Sequence, residues 1–240
     1  MKKFLLSGLL LAFFSVYAQK KSGPSAVVNR TIPFDNEWLF KKDSITNAEE
    51  ANYNDSQWEK IDLPHDWSNN DLPNQTEGRI IGPFDKSSPG FTQTGFTRGG
   101  TGWYRKKFKT GRAEQNKQVT IHFDGVYMNA DVWLNGYHLG NHPHGYTPFY
   151  YDLTPYLKPF GQENVLAVRV RNEGRNSRWY SGSGIYRHVW LTATEEVQIA
   201  PWGIFITTPE VSSKKATVNL KSTINNKQSF QRSITLVTTV

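Results

Sequence analysis

The stretch Asp131-Val132-Trp133-Leu134-Asn135-Gly136-Tyr137-His138-Leu139-Gly140 decides the fold. Asn135-Gly136 is the preferred pair for a two-residue type I′ turn, because both central positions need positive φ. Counting outward from the turn, Leu134 faces Tyr137 and Val132 faces Leu139. These four share one apolar face, and Trp133 and His138 lie together on the other. A hairpin with one face for a core sets the element type.

The flanking sequence repeats that pattern. Val119, Ile121 and Phe123 alternate with Thr120, His122 and Asp124, as in a half-buried strand. Residues 164–172 predict another, with Leu166, Val168 and Val170 on one face. Upstream, residues 34–40 read as a first strand. Ile61-Asp62-Leu63 reads as a strand that runs out at Pro64, with His65, Asp66 and Trp67 in the loop beyond. Asn54 to Trp58 offers a capped turn with Trp58 facing inward. Thr154-Pro155 caps one short helical turn, with Pro at its first position. Residues 68–102 are rich in Asn, Gly, Pro, Ser and Thr, and so long a loop is usually functional or mobile.

Many short strands, frequent turn signals and almost no helical periodicity predict an all-β sandwich ending near Ala193. After Glu195-Glu196 new strands are expected at 203–208, 216–223 and 232–240. Three strands are too few to close a sandwich of about seven. The division expected is therefore a sandwich over 29–195 and the truncated start of a second one over 196–240.

Residues 1–18 have the form of an export signal: Lys2-Lys3, an apolar run from Phe4 to Val16, and a small-x-small site at Val16-Tyr17-Ala18. A periplasmic or secreted destination follows; a retained membrane anchor is the weaker reading. Residues 19–28 read as a linker. The formal charge is +7, and removing Lys2 and Lys3 leaves +5. The cations are scattered apart from Arg105-Lys106-Lys107 with Lys109, which reads as a solvated strand edge guarded by Lys. A nucleic-acid partner needs more clustering than this. The chain has no Cys, which excludes disulfides, thiolate zinc sites and a Cys nucleophile.

Ser177-Arg178-Trp179-Tyr180-Ser181-Gly182-Ser183-Gly184 reads as a loop leading into a strand in which Ile185, Val189 and Leu191 share one parity. Aromatic faces beside a guanidinium suit a sugar, since rings stack on C–H faces and the fork donates to hydroxyls. The structural alternative is that Trp179 and Tyr180 plug the end of the sandwich. Other candidates are weaker. The Asn36-Glu37 and Asn172-Glu173 pairs lack a partner carboxylate in a recognisable loop, as glycoside hydrolysis needs. His142-x-His144 has no acidic or Cys ligand beside it. Gly99-Gly100-Thr101-Gly102 lacks the Lys-Ser/Thr of a phosphate loop and reads as a turn before Trp103. Gly182-Ser183-Gly184 leads into a strand, not a helix, so it is no nucleophile elbow. No cofactor or metal site is expected.

Five stretches in order carry a resemblance: Asp62-Leu63-Pro64-His65-Asp66-Trp67; Gly102-Trp103-Tyr104-Arg105; Phe123-Asp124-Gly125-Val126 with Val132 to Gly136; Gly145-Tyr146-Thr147-Pro148-Phe149 with Asp152-Leu153-Thr154; and Arg178 to Arg187. Over residues 30–195 they resemble the N-terminal sugar-binding domain of glycoside hydrolase family 2. The form Arg-Trp-Tyr-Ser-Gly-Ser-Gly-Ile-Tyr-Arg is most similar to its β-galactosidases. The resemblance implies a galactose-binding-like jelly roll, an immunoglobulin-like domain after it, and catalytic Glu residues in a later (β/α)₈ barrel. It implies that loops of this first domain reach the barrel and help bind the terminal sugar of a β-linked substrate. Asp66 matches one sugar-contacting loop; Arg178 and Trp179 match the second. A free-standing carbohydrate-binding module and a β-glucuronidase or β-mannosidase are the competing readings.

Overall fold

The computed structural model describes residues 30–69, 84–86, 88, 91–173 and 182–239. The expected export signal, the linker, Arg178 and Trp179 lie outside the described residues. Twelve strands follow in order: β1 (Thr31–Pro33), β2 (Trp38–Lys41), β3 (Glu59–Ile61), β4 (Gly100–Lys109), β5 (Gln118–Phe123), β6 (Ala130–Leu134), β7 (Tyr137–His142), β8 (Phe149–Asp152), β9 (Glu163–Asn172), β10 (Val189–Thr194), β11 (Val197–Val211) and β12 (Ala216–Asn226). Three short 3-10 turns are the helical elements among the described residues. The strands form a six-stranded sheet in the order β3-β2-β4-β9-β6-β7, a four-stranded sheet in the order β1-β10-β5-β8, and a separate β11-β12 pair. All named pairings are antiparallel. The expected all-β jelly-roll sandwich is the fold.

The main core lies between the two large sheets. Val119, Ile121 and Phe123 of β5 meet Val132 and Leu134 of β6 and Leu166, Val168 and Val170 of β9 there. Period two puts these residues on one face, and burying them supplies most of the folding drive. Residues 42–58 cover part of the outer face of the six-stranded sheet. There Trp58 and Ala48 pack with Trp103, Trp133 and Ala167 in a second cluster. That cover explains why β6 is buried on both faces. Trp58 faces inward as expected, behind a turn in which Asn54 Oδ1 accepts from Ser56 N at 3.1 Å.

Several local expectations are corrected. The strand expected over 34–40 begins only at Trp38, as β2 of the large sheet, because Glu37 turns the chain with φ 58°; the residues before it, 31–33, form β1 of the small sheet. β4 is a central strand and not a solvated edge. Arg105 is fully buried because Asp55 accepts from its Nε at 2.9 Å, and the Ala48 and Glu50 carbonyls accept from Nη1. Lys106 lies over the Phe34 ring, 4.6 Å from its centroid, and donates to Asn36 O. The Gly99–Gly102 stretch is not simply a turn: β4 begins at Gly100, paired with Asn172.

In the hairpin, Asn135 (φ 52°) and Gly136 (φ 87°) make the expected turn. Leu134 faces Tyr137, but a bulge after Trp133 and His138 sets Val132 opposite Gly140. Leu139 still packs on the core. Tyr137 lies exposed at the tip, against Tyr156. Asp152, not Thr154, receives the amide at the helical turn, with Thr154 N donating to Asp152 Oδ1 at 3.0 Å. The Thr154 hydroxyl instead accepts from Val119 N. Residues 232–239 form no strand, since no neighbour pairs with their backbone groups among the described residues.

Candidate functional site

One end of the sandwich joins the Asp66 loop to the 182–184 loop. β3 ends at Ile61, and the chain rises to a 3-10 turn over Trp67–Asn69. Asp66 starts that turn: its Oδ1 accepts from Ser68 N at 2.9 Å, and its Oδ2 accepts from the Asn69 side-chain amide at 3.1 Å. The same Oδ1 accepts from Ser183 N at 2.7 Å. Backbone bonds run alongside, from His65 N to Ile185 O at 2.8 Å and from Trp67 N to Ser183 O at 3.1 Å. One carboxylate therefore holds both loops. No cation forms a salt bridge with it among the described residues.

The packing leaves no room for larger residues in the second loop. A Cβ on Gly182 would sit 2.0 Å from Asp66 Oδ2. One on Gly184, at φ 126°, would sit 2.2 Å from the Tyr104 hydroxyl oxygen. Glycine alone takes both the dihedral and the space.

Beneath the loops runs a buried chain of polar groups. Asn172 Nδ2 donates to Ser183 Oγ at 2.7 Å. The Ser183 and Ser68 hydroxyl oxygens are 2.7 Å apart, and Ser68 donates to Arg98 O at 2.8 Å. Each hydroxyl has one hydrogen. Ser68 spends its own on Arg98, so the hydrogen between the serines belongs to Ser183. Beside this chain the Tyr104 hydroxyl meets His65 Nδ1 at 2.8 Å and accepts from Ile185 N at 3.4 Å. Burial pushes the Tyr104 hydroxyl well above its usual range, and burial likewise pushes His65 down, against the pull of Glu59 and Asp66. Both shifts favour the neutral forms of the two groups.

The weaker candidates have ordinary placements. Glu37 lies exposed at the bend between β1 and β2, and Glu173, at the end of β9, accepts from the Thr101 hydroxyl. His142 Nε2 meets Thr147 Oγ1 at 3.0 Å, and His144 Nδ1 accepts from Tyr146 N and Thr147 N. Among the described residues no group of three or more His, Cys, Asp or Glu is placed to hold a metal ion. Sequence reasoning weighed Asn172 and Ser183 only as parts of catalytic motifs and set them aside, quoted Tyr104 only within a family stretch, and gave Ser68 no role. The available signal was Gly-Ser-Gly at 182–184: two glycines around a small hydroxyl mark a close approach of chains as well as a turn.

The sequence profile of the glycosyl hydrolases family 2 sugar-binding domain matches residues 32–195. A beta-galactosidase of Bacteroides ovatus is 44% identical over 204 residues, which is 85% of this chain and 23% of that protein. A beta-glucuronidase of Formosa agariphila is 33% identical over 232 residues, 88% of this chain and 22% of that protein. A crystal structure of a family 2 glycosyl hydrolase from Bacteroides cellulosilyticus superposes with a TM-score of 0.73 at 47% identity, over 81% of this chain and 24% of that one. The chain spans about a quarter of the length of the relatives it matches. It belongs to glycoside hydrolase family 2, of which residues 32–195 are the sugar-binding domain.

Proposed function

We propose that this chain is the substrate-positioning part of a retaining exo-glycosidase of β-galactosidase type, and that it docks a downstream catalytic barrel. The observation that carries the reading is the double acceptance at Asp66 Oδ1, which ties the loop matching one sugar-contacting loop of the family to Ser183. With Oδ1 occupied by two amides, Oδ2, which accepts one bond from Asn69 among the described residues, keeps lone-pair capacity for a sugar hydroxyl. Arg178 donates to a second hydroxyl and Trp179 stacks on the sugar face. These residues bind and orient the terminal sugar; carboxylates of the barrel break the bond. A β-glucuronidase is the second reading, favoured by the 33% identical relative of that name.

The test is to express the polypeptide continued to the length of its relatives and assay aryl β-galactoside against aryl β-glucuronide. The 240-residue chain should turn over neither, and the extended one should prefer the galactoside. Turnover by the short chain sinks the positioning role, and preference for the glucuronide replaces the β-galactosidase assignment. Export is part of the proposal: the mature N-terminus should be Gln19 by mass spectrometry of the secreted fraction. An intact Met1 in that fraction contradicts it.

A further inference from the structure

Beside the Asp66 loop lies a cleft of about 320 Å³ bordered by Lys41, Lys42, Gln57, Glu59, Trp67 and Arg98. That volume lies in the range of small-ligand pockets, about 300–1,000 Å³. Its shape follows from the start of β4. Gly100 and Gly102 point to one face of the sheet. A Cβ on Gly102 would lie 2.7 Å from the Trp67 ring and 3.0 Å from Phe40, and one on Gly100 would lie 3.8 Å from Lys42 Cε. The Trp67 indole and the Lys42 stem thus lie over bare backbone. The space at Gly102 is taken by the buried Trp67 and Phe40 rings, so this glycine seats the Asp66 loop against β4 and fixes the inner wall of the cleft. Arg98 is held by its carbonyl, which accepts from the Ser68 hydroxyl at 2.8 Å, so the cleft shares a wall with the Asp66 cluster.

The charges of the cleft are unbalanced. Lys41, Lys42 and Arg98 face Glu59 on the border of the cleft, and Asp85 lies near enough to act on the Lys42 charge. None of the three cations forms a salt bridge to a carboxylate among the described residues. Burial and the Arg98 charge together hold the Lys42 ammonium below its usual range, with Asp85 pulling the other way. An anion placed between Lys42 and Arg98 relieves that repulsion, and both side chains donate charge-assisted hydrogen bonds.

We propose that this cleft is a subsite for an anionic sugar unit, with its carboxylate or sulfate ester between Lys42 and Arg98 and its hydroxyls toward Gln57 and Glu59. The inference rests on the reading that the Asp66 end faces the saccharide. It makes the substrate an acidic glycan whose charged unit sits beside the sugar that Asp66 contacts.

The test is calorimetric titration of the 240-residue chain with trigalacturonate, galactose 6-sulfate and neutral galactotriose at low ionic strength. One of the two anionic probes should bind, and galactotriose should bind at least tenfold more weakly. The tighter anion assigns the group as carboxylate or sulfate ester. The double variant Lys42→Gln/Arg98→Gln should lose at least tenfold in affinity with an unchanged melting temperature. The control Lys214→Gln/Lys221→Gln, on exposed lysines of the β11-β12 pair, should lose less than twofold. Equal affinity for galactotriose, equal losses in the two double variants, or no binding of either anion overturns the subsite. An Asp66→Ala variant that keeps full activity in the extended polypeptide, while Lys42 and Arg98 still govern anion binding, removes the proposed function and leaves the subsite standing.

Discussion

Asp55 and Asp66 are two carboxylates on one sandwich, and their partners differ in kind. Asp55 is buried on the outer face of the large sheet between two cations, Arg105 Nε at 2.9 Å and Lys107 Nζ at 2.9 Å. Burial alone raises its pKa, but hydrogen bonds and charge from Arg105 and Lys107 outweigh that and hold it below the usual carboxylate range. Among the described residues Asp66 accepts from neutral N–H groups, two backbone amides and the Asn69 side chain. The first carboxylate closes its charge within the fold. The second joins two loops through N–H groups and forms no salt bridge among the described residues. The first carboxylate thus anchors a sheet face to its cover, and the second ties loop to loop at one end of the sandwich.

The largest expected effect is on Asp55. Asp55→Ala leaves Arg105 buried without its counter-ion and should cost about 3–5 kcal/mol in a urea titration. A loss below about 1 kcal/mol would mean that the carbonyls of Ala48 and Glu50 carry the guanidinium alone. The pH dependence has a fixed sign. Because the folded pKa of Asp55 is depressed, its contribution is present above the unfolded value and is lost as pH falls through the folded one. Wild type should lose stability below about pH 4, and Asp55→Ala should lose less over the same window. Parallel acid curves for the two proteins contradict this.

Gly184→Ala comes next. Its Cβ would meet the Tyr104 hydroxyl and, at 2.7 Å, the His65 carbonyl. Overpacking of this kind costs about 1–3 kcal/mol. Gly136→Ala is the control, since its φ is also positive but nothing lies within 4 Å; its cost should be about 1 kcal/mol. Equal thermal shifts would show that backbone strain, not the close approach of the two loops, sets the requirement for glycine at 184.

Ser183→Ala should cost less than Gly184→Ala. It removes the hydroxyl link between Asn172 and Ser68 but leaves the Ser183 amide on Asp66. A loss of about 1–2 kcal/mol in stability, with kcat/KM of the extended polypeptide within threefold of wild type, is expected. A collapse of kcat/KM at unchanged stability would move the functional centre from Asp66 to Ser183.

The sequence made the core readable because period-two patterns state which face is buried. Val119, Ile121 and Phe123, and Leu166, Val168 and Val170, are all buried as their alternation predicts. Alternation says nothing about a strand's neighbours. For that reason Arg105 and Lys106 read as edge residues although β4 is central, and the cover from residues 42–58 was invisible. The bond from Ser68 N to Asp66 is a local one, since Asp before a short turn commonly accepts from the second amide onward. The second bond, from Ser183 N, joins residues 117 apart in sequence, and no local signal encodes such a separation.

The central claim is that the Asp66 end touches the saccharide. Its most direct test is kcat/KM of Asp66→Ala and Asp66→Asn in the extended polypeptide, measured with an aryl β-galactoside at a temperature where both variants stay folded. A charge-assisted bond to a sugar hydroxyl is worth about 1.5–3 kcal/mol, so Asp66→Ala should lower kcat/KM roughly 10- to 150-fold. Asp66→Asn should retain more of the melting temperature, because Asn keeps the turn-forming acceptor, yet share most of the kinetic loss. Wild-type kcat/KM in both variants, with a lowered melting temperature in Asp66→Ala alone, would contradict the claim and leave Asp66 as a clasp between two loops.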